Sequence, residues 1–150
     1  MIAALSSACS PSRPRDPQAS RSTHSGLSIR EVVAPGEAQT GEDRVEAFGK
    51  VFWLKPGQVV TGRMVANAFA TIGQDNRAVI DFRLTDEGRR RLAELTRRSV
   101  GRPIAVLVDG RLVAAPMVAA PIENGSGEIT GNFDRDAAND LVEAIRDGGS

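Results

Sequence analysis

In the second half of the chain the spacing of apolar residues switches between two and three-to-four, and each switch predicts a new element. Ala78-Val79-Ile80-Asp81-Phe82-Arg83-Leu84 places Ile80, Phe82 and Leu84 on one face of a strand. Thr85 is positioned to cap a helix opening on Asp86-Glu87, whose acidic groups suit the positive end of the helix dipole. Gly88, Leu92, Leu95 and Ser99 then share a helical face, and Gly101 followed by Pro103 ends the run. Ile104-Ala105-Val106-Leu107-Val108 is unbroken and predicts a strand covered on both faces. Asp109-Gly110 predicts a hairpin, because both central residues of the tight turn need positive φ. The return strand runs from Arg111 to Ala115 and stops at Pro116. A further strand is expected from Glu128 to Thr130, ending at Gly131. Asp134 caps a last helix with Ala138, Leu141, Val142 and Ile145 on one face, Arg146 near its negative end and Gly148-Gly149 as its stop.

The first half is patterned less sharply. Leu27 to Val33 partly alternates and predicts a strand, and its polar Arg30 and Glu31 favour an edge position. Ala38 to Arg44 is polar. Phe48 to Leu54 reads as a strand ended by Lys55-Pro56-Gly57, and Val59-Val60-Thr61-Gly62 extends the ribbon. Met64, Val65, Ala68 and Phe69 recur at helical spacing, predicting a short amphipathic helix before Gly73. Together these elements predict an α+β fold: a small mixed or antiparallel sheet with helices packed on one face.

Residues 1–26 read as a signal remnant and flexible tether, and 27–150 as one folded module. Pro11, Pro14 and Pro17 break any helix or ladder across a stretch rich in Ser, Arg and Ala. Met1 to Ser10 looks like the end of a bacterial lipoprotein signal, with Cys9 as the lipid attachment point. No basic residue precedes its apolar residues and Ser6 stands where an aliphatic residue is usual, so the competing reading is an exposed thiol in a tail, with a genuine cytoplasmic start.

Composition narrows the chemistry. The 150 residues carry 19 basic and 19 acidic side chains, a net charge of zero, which supplies no field for nucleic acid or an anionic membrane. With one cysteine and one histidine there is no disulfide framework, clustered metal site or CxxC pair, and no cofactor is expected. His24 lies in the tether, leaving a Ser-His-Asp arrangement without a base. Asp86-Glu87, Asp134 and Asp136 sit at helix starts as caps, and Glu123-Asn124 with Glu128 lack calcium-loop spacing. No enzyme is read here. Arg89-Arg90-Arg91, Arg97-Arg98 and Arg102 form a basic cluster, but Glu87 and Glu94 stand four residues before Arg91 and Arg98, the arrangement of a solvated helix. No segment offers the roughly 20 apolar residues that cross a bilayer.

Thr85, Gly88, Asp109, Gly110, Thr130 and Gly131 read as structural residues of turns and caps. Ala114, Ala115, Pro116, Met117, Val118, Ala119, Ala120 and Pro121 are different: an apolar segment between two prolines is either a buried crossover or an edge on which an extended chain could lie.

The order of these motifs resembles the first periplasmic domain of SecD, the SecDF head subdomain. Its signature is met by Phe82-Arg83-Leu84-Thr85-Asp86-Glu87-Gly88, Leu95-Thr96, Gly101 through Gly110, Ala114-Ala115-Pro116 and Ile129-Thr130-Gly131-Asn132-Phe133. Leu27 to Val32 and Val60-Thr61-Gly62 match more loosely. The transmembrane helices that flank this domain in SecD, and the proton coupling they carry, are not expected of this chain. The resemblance implies a non-enzymatic, periplasmic, soluble or lipid-anchored module binding unfolded preprotein or a Sec translocase component during export. The alternative is an envelope adaptor that keeps the fold without the transport role.

Overall fold

A computed structural model describes residues 26–34, 36–37 and 41–148. Cys9 and nearly all of the expected tether lie outside the described residues. Ile104–Val108 forms a fully buried strand, as an unbroken apolar run requires, and it anchors a five-stranded sheet. In chain order the strands are β1 (Leu27–Val33), β2 (Asp43–Ala47), β3 (Lys50–Leu54), β4 (Val65–Ile72), β5 (Ala78–Leu84), β6 (Ile104–Val108), β7 (Arg111–Ala114) and β8 (Ser126–Thr130). The helices are α1 (Asp86–Arg98) and α2 (Arg135–Asp147). Strand order is β2-β3-β1-β6-β7 in the larger sheet and β4-β5-β8 in the smaller. Every pairing is antiparallel, so the α+β class stands and the expected single sheet is two.

Local rules place the elements. The Thr85 hydroxyl accepts from the Gly88 N–H and the Asp134 carboxylate from the Ala137 N–H, capping α1 and α2. Asp109 and Gly110 take φ of 49° and 79°, the hairpin geometry expected between β6 and β7, and Asp109 Oδ1 also accepts from the Gly26 N–H at 2.7 Å. Gly88 lets α1 approach closely: a Cβ there would stand 2.9 Å from Met64 Cβ. Gly131 likewise lies under the Phe133 ring.

Leu27, Ile29, Val106 and Val108 from the larger sheet, Ile80, Phe82, Leu84 and Ile129 from the smaller, Leu92 and Leu95 of α1, and Val142 and Ile145 of α2 form one core. The opposite face of the larger sheet carries a second cluster, Val32, Leu54, Ala105 and Leu107, against which Val45, Phe52 and Leu112 pack. Residues from β2 and β7, the two ends of the strand order, share this cluster, so the sheet curls around it.

Four further expectations are corrected. Met64 to Phe69 is not a helix: Gly62–Met64 forms a 3-10 turn and Val65–Ile72 is a strand, with Ala68 buried and Phe69 exposed on alternate faces. β1 is central rather than an edge, because distant partners satisfy its polar residues: Arg30 binds Asp43 and the Lys55 carbonyl, and Glu31 binds Lys55 and Arg98. The polar stretch before Phe48 contains β2, and Phe48-Gly49 is its hairpin turn with φ of 55° and 69°. Finally, Glu87 pairs with Arg91 at 2.6 Å as expected, but Arg98 turns from Glu94 to Glu31.

An apolar groove on the outer face of the larger sheet

The second cluster surfaces at one end as a groove of about 210 Å³ lined by Val32, Val33, Ala34, Val51, Phe52, Arg102 and Pro103. Three separate segments build it. The ends of β1 and β3 meet through Val32 opposite Leu54 and Val33 opposite Trp53, and the residues leading into β6 close the other side. Val51 and Phe52 are consecutive apolar residues on opposite faces of a strand near the sheet's margin, and Val51 is left 39% exposed. The volume is too small for most cofactors but fits one or two side chains of a chain passing over it.

The segment between the prolines borders this groove. Met117 pairs with Pro103 in an isolated antiparallel bridge, held by Ile104 N–H to the Pro116 carbonyl at 3.1 Å and Val118 N–H to the Arg102 carbonyl at 3.0 Å. Side chains of such a pair share a face, so Met117, 65% exposed, stands beside the Pro103 wall. Val118 points inward and is buried, whereas Pro116, Ala119, Ala120 and Pro121 are exposed and Ala114 and Ala115 half-buried. The segment is thus a short continuation of the sheet beside β6, part buried and part open. Thr85, Gly88, Asp109, Gly110, Thr130 and Gly131 lie at caps, turns and strand ends away from this groove. Val32, Val51, Phe52 and Pro103 escaped the sequence reading because they are far apart along the chain; the one local signal was the adjacent apolar pair in β3.

Beneath the groove lies a charged staple. The Glu31 carboxylate, its side chain 8% exposed, accepts from Lys55 Nζ at 2.8 Å and from Arg98 Nε at 3.0 Å, tying β1 to the end of β3 and to α1. Burial pushes its pKa up, but hydrogen bonds and charge from Lys55 and Arg98 together pull it below the ordinary 4.5. Both oxygens are committed and the group is ionised at neutral pH, which suits a strut rather than a proton donor. Other arginines of α1 and its exit are engaged similarly, Arg97 with Glu123 at 2.7 Å and Arg102 with Glu37 at 3.8 Å. Among the described residues no three His, Cys, Asp or Glu side chains converge as metal ligands, and no helix is long and apolar enough to cross a membrane.

The family model for the SecDF P1 head subdomain matches residues 37–149. The protein translocase subunit SecD of Acidaminococcus fermentans is 37% identical over 122 residues, which cover 78% of this chain and 29% of that protein. The SecDF subunit of Brucella abortus is 38% identical over 98 residues, covering 65% of this chain and 13% of that one. The chain therefore spans less than a third of these relatives. A solved structure of SecDF, a membrane component that enhances protein export, superposes with a TM-score of 0.66 over 83% of this chain and 63% of that one. The super-membrane-facing form of SecDF gives 0.64 over 83% and 19%. Both are 22% identical, a likeness of fold. By its matched span and its motifs together, the chain belongs to the SecDF P1 head subdomain family.

Proposed function

We propose that this chain serves protein export as a non-enzymatic module outside the cytoplasmic membrane, holding extended segments of unfolded preprotein in the Val32-Phe52-Pro103 groove with Met117 at its border. The observation that carries this reading is an open apolar groove bordered by an exposed methionine, on a domain whose relatives are translocase subunits. Apolar walls recognise apolar side chains without reading sequence, and methionine's flexible thioether adapts to whichever one arrives. The module works beside the Sec translocase, anchored by a lipid on Cys9, which mass spectrometry of the chain isolated from membranes tests directly.

Trp53, the single tryptophan, lies opposite Val33 of the groove and reports on it. A tryptophan-free unfolded secretory polypeptide added to the full chain is expected to change Trp53 fluorescence saturably, and Met117→Lys to weaken the response. A response that never saturates, or none at millimolar polypeptide, where even contacts worth about 4 kcal/mol register, rejects preprotein binding at this site and favours the adaptor role.

A further inference from the structure

Among the described residues, strand β4, Val65–Ile72, is the longest strand and has no strand neighbour beyond β5, and it carries neither charge nor proline. Edge strands of this kind are normally blunted by lysine, proline or a covering element, since their free backbone groups invite another strand. Its hydrogen-bonding phase follows from the loop, where the Gly73 N–H donates to the Arg77 carbonyl at 2.8 Å. Opposed residues of an antiparallel pair alternate between bonded and non-bonded. With Ile72 opposite Ala78, Ala70 opposite Ile80 and Ala68 opposite Phe82, those three β4 residues direct their N–H and C=O groups away from β5. Arg146 of α2 reads the same phase from outside, donating from Nε and Nη2 to the Ala68 carbonyl at 3.1 and 2.8 Å. Among the described residues nothing is bonded to the outward groups of Ala70 and Ile72. Phe69 and Ile72, on opposite faces of β4, are each 45% exposed, and on the Ile72 side a hollow of about 310 Å³ opens between Ala70, Ile72, Ala78, Arg135 and Asn139.

We propose that this edge is a second polypeptide site, where an extended segment of unfolded polypeptide adds as a fourth strand to the β4-β5-β8 sheet and sets one side chain into the hollow beside Arg135. The proposal rests on the reading of this chain as a handler of unfolded polypeptide. The backbone row defines its occupant, because donors and acceptors spaced two residues apart are matched by another extended backbone. A second copy of β4 fits worse. A symmetric pair that uses all three outward residues sets Ile72 of each copy against Ala68 of the other, where Arg146 already fills the carbonyl. That bond is then lost at both ends and two guanidinium groups enter the seam, whereas an external chain loses it once.

The test is an NMR titration of the full chain with an unfolded secretory peptide, and with a matched peptide carrying runs of consecutive prolines, which leave no N–H on either edge. The first is expected to shift and protect from hydrogen exchange the amides of Ala68, Ala70 and Ile72. The proline-bearing peptide, lacking donors, is expected to leave them unchanged while still perturbing the groove. Ala70→Pro removes an outward N–H that β5 does not use, and Ile72→Lys places a charge on the edge. Each should weaken the edge response roughly tenfold, the loss of one or two hydrogen bonds. Equal edge shifts with both peptides, shifts confined to Val32, Val51 and Phe52, or edge shifts that depend on protein concentration without peptide each overturn the strand-addition site. Shifts confined to the groove overturn it while leaving the proposed function standing.

Discussion

Replacing Glu31 with glutamine tests how the module holds its helix against the larger sheet. The carboxylate receives two charge-assisted hydrogen bonds, from Lys55 at 2.8 Å and Arg98 at 3.0 Å. Each is worth about 1.5–3 kcal/mol in a protected setting. The cationic side chains are 52% and 49% exposed, so water screens both and receives them when the partner is lost, and desolvating the carboxylate offsets part of the gain. Glu31→Gln should therefore cost about 1–2 kcal/mol, a fall in Tm of roughly 2–5 °C for a domain of this size. The pH dependence fixes the sign. The folded pKa lies below the ordinary 4.5, so the contribution is fully present above 4.5 and is lost as pH falls through the folded value. Urea unfolding of both proteins across pH should show a constant gap above 4.5 that closes beneath it. A gap absent at neutral pH, or one that widens as pH falls below 4.5, refutes the argument.

Other outcomes follow from single contacts. Gly88→Ala sets a Cβ 2.9 Å from Met64 Cβ and 3.0 Å from the Met64 carbonyl oxygen, so thermal unfolding should show a loss of about 1–3 kcal/mol despite alanine's helix preference. Phe48→Asn should raise stability by about 1 kcal/mol in denaturant titration, since Phe48 is 64% exposed at a φ of 55° that asparagine adopts more readily. Asp109→Ala loses both the left-handed tolerance of aspartate and the bond to the Gly26 N–H, and should cost about 1–3 kcal/mol in the same assay. Met117→Lys, at 65% exposure, should leave stability within about 0.5 kcal/mol of wild type, so that any loss of polypeptide binding reports on the groove alone.

What the sequence carried plainly was whatever its own neighbours determine. The unbroken run of β6, the Asp109-Gly110 turn and the caps at Thr85 and Asp134 are settled within a few residues, and all stand in the fold. β4 was hidden because its inward residues Ala68 and Ala70 are small where α2 packs, while Phe69 is outward, so the alternation that marks a strand is inverted and helical spacing shows instead. β1 looked like an edge because Arg30 and Glu31 are polar, and the groups that make them tolerable at the centre of a sheet, Asp43, Lys55 and Arg98, lie far along the chain. The groove had the same obscurity. The segment from Ala114 to Pro121 could be marked for its apolar content, but only folding sets Met117 across from Pro103 and brings Pro103 beside Val32 and Phe52.

The most direct test of the central claim is a residue-resolved NMR titration of the full chain with an unfolded secretory polypeptide. The account predicts saturable shifts at Val32, Val33, Val51, Phe52 and Met117, with the turn residues Asp109 and Gly110 unmoved. The absence of any shift at roughly millimolar polypeptide, or saturable shifts that leave the groove unmoved, would contradict it.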